Sequence, residues 1–470
     1  MVVLAKNLVE IFATETHDYD RIHDAIEAGF LASQEGYSVG YNVKPGSVYT
    51  IDLKGETFIL DRPVKIQKAQ MIHIRNGSLV AGPTFPEGEF LIEVTNGTGL
   101  VFQNLFLECS KRANGITLAD FFRVRIEDCH VIHQRDYGIY SAPQGNNHEL
   151  EVVKCHISEF LYWDGHPNKH SSYGIIPKFD VDENRQSVGV FLGQADNVVA
   201  DCNINLCRTG IYCGMRANRI QGNHITGGGS LDLDIYKGIE LDNFHKSSAI
   251  INNNYIDNCT LWINCDDHPR FNQRNYLHVT SNLFYRGYNH PKDGRTYSHI
   301  VVNPLKPGAL LGNVHVTNNL FYNQDENLEG IKPRILEPIR VNSRTDPETG
   351  ETIDLNHAGI KNFRMESNQF TNRFPTFVKP MGTTVTKRVQ ATSDKNRYHV
   401  SFRHEIPVGI LRDASAHINI MPDGVMAQPI VRRLLPHAVE VELPEPFEGE
   451  FSVTASALGE PVNRFSYIVK

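Results

Sequence analysis

The chain has 470 residues, of which 40% are hydrophobic, with a formal net charge of −8 and no basic block. That is long enough for a large core, and its charge excludes nucleic acid or an anionic membrane as the main partner. No apolar run approaches the ~18 residues of a membrane span, and the opening MVVLAKNLVEIFATETHD lacks a basic start and a small-residue cleavage site. No signal peptide is therefore expected, which leaves a cytoplasmic protein, or a secreted one whose signal has been removed.

Residues 1–70 hold a helical pattern, Asp20-Arg-Ile22-His-Asp-Ala-Ile26, followed by Val43-Lys-Pro-Gly-Ser-Val-Tyr49-Thr-Ile51. A solenoid exposes core and unpaired strand edges at its first coil, so this segment is expected to be an N-terminal cap.

From about residue 71 to 372 one phrase recurs nine times: apolar, two variable residues, Asn or Cys, one variable residue, apolar. The Asn/Cys positions are Asn104, Cys129, Cys155, Cys202, Asn223, Asn254, Asn282, Asn319 and Asn368, at intervals of 21 to 49 residues. Most intervals are one coil, and the longer ones carry an insertion or a missed repeat. Many phrases are followed by a short strand opening in glycine, at Gly115, Gly138, Gly210 and Gly238. There is no room for crossover helices, so the pattern predicts an all-β, right-handed parallel β-helix with coils ~4.8 Å apart. The recurring Asn and Cys are expected to form a ladder at one turn of each coil. All eight cysteines lie between Cys109 and Cys265 without a CxxC pair, which fits reduced core thiols.

Residues 373–470 lose the repeat. Alternating segments such as Ala438–Leu443, Phe451–Ala455 and Phe465–Val469 predict a C-terminal β-rich domain, for oligomerisation or glycan binding.

The motif Asp18-x-x-x-Ile22-x-x-Ala25-Ile26, the following Lys44-Pro-Gly-Ser-Val-Tyr-Thr-Ile51 and the Asn-ladder coils resemble the pectate-lyase-like superfamily, especially its phage-tailspike members. The likeness runs from the opening helix through residue 372. It implies polysaccharide substrates, cleavage by hydrolysis or β-elimination, and a homotrimer, and the tailspike likeness implies a virion-associated location as the alternative to a cytoplasmic one. The stretch from Gly222 to Asn254 also resembles inulin fructotransferase, another trimeric β-helix enzyme. The Asn-Thr-Asp and Gly-His-Gly motifs of polygalacturonases have no counterpart here.

Alternation along the glycine-led strands sends Val190, Leu192, Ile211, Ile239, Leu241, Ile263 and Val302 inward. The outward column is then Phe191, Tyr212, Glu240, Trp262 and Val301, flanked by Gly193, Gly214, Asp242, Asn264 and Asn303. An exposed aromatic stripe offers rings to sugar faces, the glycines leave space for a ligand, and the acids stand at a scissile bond. Glu240 and Asp242, i and i+2, are ~6–7 Å apart at Cα by strand geometry, spanning the carboxyl spacings of retaining and inverting glycosidases. Two neighbouring carboxylates raise one another's proton affinity. On that basis Glu240 is the expected acid and Asp242 the base or nucleophile.

Asp266 and Asp267 are further acidic candidates, and Asp232, Asp234, Asp180, Asp182 and Glu183 edge the same groove. Such loops are solvated or bind Ca²⁺; lacking the spacing of a dedicated site, they support no metal and no cofactor. His245, Arg216 and Lys237, with Asn264, are expected to meet substrate. The leading expectation is a glycoside hydrolase-type depolymerase acting in a lateral groove. A polysaccharide lyase, for which Arg216, Lys237, His245, Arg270 and Arg274 are the available cations, ranks second because an acidic groove attracts uronates poorly. A fructotransferase-type transglycosidase and a glycan-binding spike without catalysis rank below these two.

Overall fold

The computed structural model describes residues 2–5, 8–13, 18–35, 48–159, 187–227, 236–243, 246–266, 276–286, 298–323, 337–356, 360–370, 383–418 and 428–457. The fold is all-β, a right-handed parallel β-helix with an N-terminal cap and a C-terminal β-rich region, and Asp18–Glu35 is the one helix among the described residues. Two compact units divide at Trp262/Ile263. The first is Met1–Trp262 with Tyr285–Asp293, and the second is Ile263–Phe284 with Gly294–Lys470. The division falls inside the segment 71–372 that the repeat marks as solenoid.

In the first unit the helix turns Ile22, Ala25 and Ile26 inward. Their i, i+3, i+4 spacing makes one apolar stripe, and the helix packs against the strands Tyr49–Asp52, Thr57–Leu60 and Val64–Gln67. Leu8–Ile11 adds to Tyr49–Asp52 in parallel, and Val2–Ala5 lies antiparallel on Leu8–Ile11. An apolar stripe and a covering strand are what a solenoid end requires.

Each later coil places two strands, separated by a bend, in one sheet and a third strand in another. The bend is a residue with left-handed φ: Asn76 (59°), Asn104 (50°), Asp128 (52°), Lys154 (54°), Asp201 (55°), Gly222 (67°) and Asn253 (56°). Asn, Asp and Gly tolerate this region best, which explains their frequency there. The next residue enters the ladder. The Cys155 N–H donates to Cys202 Sγ (3.4 Å), the Cys202 N–H to Asn223 Oδ1 (2.9 Å), and the Asn223 N–H to Asn254 Oδ1 (3.0 Å).

Asn104 departs from expectation. Glu127 pairs with Gln103 and His130 with Phe106, so Asp128 lies opposite Asn104 and Cys129 opposite Leu105. Asn104 occupies the bend column and bonds outward to Asn76 Oδ1 (3.0 Å), not into the ladder. Asparagine as a residue type suits either the left-handed bend or the ladder, which is why the phrase slips by one here.

The third strands run Val64–Gln67, Phe90–Thr95, Asn114–Ala119, Tyr137–Ser141, Val188–Leu192, Thr209–Cys213 and Lys237–Leu241, all parallel. Ile116, Ile139, Val190, Ile211 and Ile239 stack inside, fully buried. Their glycines are required by close approach. A Cβ on Gly138, Gly189 or Gly210 would stand 2.5, 2.6 or 2.5 Å from the carbonyl oxygen of the next glycine in the column. The eight cysteines are free and buried.

In the second unit the ladder has the same form: the Asn282 N–H donates to Asn319 Oδ1 and the Asn319 N–H to Asn368 Oδ1, both 2.9 Å. Ser298–Pro304 pairs in parallel with Glu337–Val341. Val301, expected to face outward, is 0% exposed like its inward neighbours, so this rung is covered on both sides. Beyond it, Gly449–Ser456 lies between Thr384–Ala391 and Asp413–Ile418, and Ala438–Glu442 between Arg397–Ser401 and Ile430–Leu434. These two antiparallel sheets share a core that includes Phe402, Val439, Val441, Phe451 and Val453. The Phe465–Val469 segment lies outside the described residues.

Candidate active site

On the outer face of the third-strand sheet, Thr117, Tyr140, Phe191, Tyr212 and Glu240 are successive partners, one per coil. The alternation that buries Ile211, Ile239 and Leu241 aims this column away from the core. Tyr140 and Phe191 stack at 4.8 Å between ring centroids, and Phe191 and Tyr212 at 4.6 Å with planes only 7° apart. Tyr137 joins edge-on to Tyr140 at 4.7 Å. Coils ~4.8 Å apart bring rings on adjacent rungs to stacking distance, so the column is a ladder of rings.

This corrects the expected stripe. The rings do not offer their faces to a ligand lying along the solenoid; each covers the next, and the column shows its edges. Nor is the flank at Gly193 empty space. A Cβ at Gly193 would lie 2.3 Å from the Ser141 oxygen and 2.7 Å from the Pro143 nitrogen, so passing chain fills that side.

At the end of the ring ladder stand the polar groups. Glu240 is only 8% exposed. Its Oε1 is 2.6 Å from Lys237 Nζ, an ion pair, and its Oε2 receives a long hydrogen bond of 3.5 Å from the Thr209 hydroxyl. Lys237 Nζ also lies 5.1 Å over the Trp262 ring. Asp242 is half-buried just past the strand, its N–H donating to the Cys213 carbonyl (3.0 Å). The Tyr212 hydroxyl is hydrogen-bonded to Asp242. Burial first, then this bond and the charges of Asp242 and Glu240, hold its pKa far above the ordinary phenol value. Tyr212 therefore keeps its proton and acts as a fixed donor.

Phe191, Tyr212, Glu240, Asp242, Lys237 and Trp262 thus fall together in the first unit. Arg216 does not join them: it is exposed on the turn after Thr209–Cys213, and its side chain makes no hydrogen bond or ion pair with a described residue. In the second unit Asn264 is buried and its Oδ1 accepts from Asn303 Nδ2 (2.7 Å), so its amide serves a second side-chain ladder. Half-buried Asp266 accepts the Leu310 N–H through its backbone carbonyl (2.8 Å). His245, Asp267, Arg270, Arg274 and the acidic segments Asp180–Glu183 and Asp232–Asp234 lie outside the described residues.

Three residues of the cluster are additions to the sequence reading: Tyr137, Tyr140 and Thr209. Tyr140 carried a signal, since Gly138-Ile139-Tyr140 repeats Gly210-Ile211-Tyr212.

No family profile matches the chain, and no curated protein matches it. Among solved structures it is similar to the Dettilon tailspike protein, at 12% identity over 96% of this chain and 94% of that one, with a TM-score of 0.43. It is similar to endo-xylogalacturonan hydrolase from Aspergillus tubingensis at 11% identity, over 77% of this chain and 93% of that one, with a TM-score of 0.44. For the Azotobacter vinelandii mannuronan C-5 epimerase A-module the values are 10%, 76%, 91% and 0.42. These likenesses are of fold.

Proposed function

We propose that this protein is a carbohydrate-active enzyme that cleaves glycosidic bonds of a polysaccharide on the lateral face of the β-helix. The observation that carries the reading is the convergence of Glu240 and Asp242 with Lys237, Tyr212 and Trp262 at one end of the ring ladder. Two carboxylates beside one another on an outer face are the minimum for glycoside hydrolysis. The ring edges offer apolar contact to sugar, and the carboxylates and Lys237 offer hydrogen-bond partners to its hydroxyls.

The ion pair changes the division of labour expected from sequence. A carboxylate held by an ammonium at 2.6 Å suits the anionic role, nucleophile or base, so we assign that role to Glu240. The second carboxylate role falls to Asp242, which lies nearer solvent. Trp262, with a cation over its ring, bounds the sugar subsite. An open lateral site admits internal stretches of a polymer, so endo cleavage follows, and a trimer in which each chain carries its own site is the assembly we favour.

The test is incubation of the purified chain with neutral and acidic polysaccharides while reducing ends and the ultraviolet absorbance of unsaturated uronates are followed. Hydrolysis gives new ends without absorbance. Ends together with absorbance would establish elimination instead, and no change on any polymer that binds would make the protein a non-catalytic glycan binder.

A further inference from the structure

The second unit contains a cleft of about 590 Å³ lined by none of the groups used above, a size typical of small-molecule sites at ~300–1,000 Å³. Four stretches of sequence converge on it: the end of Glu337–Val341 with Ser343, the Asp354–Leu355 return, the turn bearing Arg403, His404 and Pro407, and His437. Ile339 and Leu355 form a buried apolar floor. One side is rigid, because Asn342 donates to Asn303 Oδ1 (3.1 Å) and accepts from Arg340 Nε (3.0 Å).

Arg403 is the standing cation of this cleft. Arg403 is exposed, and its guanidinium makes no hydrogen bond or ion pair with a described residue, although Asp354 lines the same cleft. His437 is held below its ordinary pKa by burial and then by the charge of Arg403, which places it near that guanidinium. A guanidinium fork open to a cleft matches the two oxygens of a carboxylate, phosphate or sulfate. The Ser343 hydroxyl and the Asp354 carboxylate, which takes only a long 3.5 Å bond from the Gly308 N–H, offer hydrogen-bond partners to hydroxyls. Leu355 and Pro407 offer apolar contact to a ring face.

We propose that this cleft binds an anionic sugar unit, with Arg403 gripping the acidic group and Ser343 and Asp354 holding ring hydroxyls over the Leu355 floor. The sugar half of the assignment rests on the glycan reading above; the anionic half does not. A cleft of this kind would hold an acidic branch or chain segment of the polymer while the carboxylate pair acts on its own stretch.

Calorimetric titration of the full chain with galacturonate, galactose 6-phosphate, galactose and inorganic phosphate tests it without turnover. The expected result is that at least one sugar acid binds, that galactose and inorganic phosphate bind at least about tenfold more weakly, and that Arg403→Ala weakens the acid about tenfold or more. Arg403→Lys should fall between, and the exposed position of Arg403 should leave Tm unchanged. Which acid binds distinguishes a carboxylate from a phosphate source. The assignment is overturned if neither acid binds, if galactose or inorganic phosphate binds as tightly as the acid, or if the acid affinity survives Arg403→Ala. Since affinity is the readout, these outcomes are separate from loss or survival of cleavage at the Glu240 site.

Discussion

Lys237 and Glu240 lie three residues apart on one strand, yet their side chains meet as an ion pair at 2.6 Å. In an unbroken strand such residues point to opposite faces. The alternation breaks at the intervening glycine step, Gly238, and the same break brings Tyr137 and Tyr140 together across Gly138. The glycine column therefore does two things: it lets rungs approach, and it turns the residue before it onto the site face.

The pair is testable on its own. Replacing Lys237 by Met leaves a largely buried carboxylate without its cation, and chemical denaturation should show a loss of about 1–3 kcal/mol. Lys237→Arg should recover part of it. A Lys237→Met variant as stable as the parent would mean that Glu240 is held by other groups.

The interior ladder makes an unequal prediction for two asparagines that look alike in sequence. Asn254 Oδ1 accepts from both the backbone N–H and the Nδ2 of Asn223, each at 3.0 Å. Asn254→Ala strands two buried donors and should cost about 2–4 kcal/mol. Asn104→Gly keeps the left-handed bend and loses only an exposed bond, so its stability should change by less than about 0.5 kcal/mol. Equal effects would contradict the placement of Asn104 in the bend column.

Gly210, inside the strand Thr209–Cys213, and Gly214, just past it, carry opposite constraints. A Cβ at Gly210 meets the Gly238 oxygen at 2.5 Å, whereas at Gly214 the nearest atom is 3.3 Å away. Gly210→Ala should cost about 1–3 kcal/mol or more through rung separation, and Gly214→Ala much less. Thermal melts of the two variants decide it.

The repeating coil, the inward residues and the cap were legible because period-two alternation and an i, i+3, i+4 stripe are local properties. The outward placement of Tyr212 and Glu240 followed from the same rule. The ring ladder was not legible: alternation says that Phe191 and Tyr212 share a face, but not that they cover one another. Nor was the Lys237 contact, which depends on the break at Gly238. Asn264 was read as a substrate contact because nothing local distinguishes it from an amide in a ladder. The Arg403 cleft joins segments tens of residues apart and leaves no local pattern.

Cys207 and Cys213 are pushed up to about 12 from an ordinary 9.0, chiefly by burial. A raised thiol pKa favours the protonated folded form, so its contribution to stability is complete below pH 9 and is lost as pH rises toward 12. Native protein at pH 8 should resist thiol reagents, all eight cysteines should react after unfolding, and the unfolding midpoint should fall in the alkaline window. Rapid labelling of these two thiols in native protein would contradict their burial.

The most direct measurement is the initial cleavage rate of Glu240→Gln on a polysaccharide turned over by the parent, normalised to the folded fraction. The account predicts a loss of at least about a thousandfold, as expected for removal of a nucleophile or base, with the polymer still bound. A folded Glu240→Gln protein that cleaves within a few fold of the parent would show that the chemistry lies elsewhere.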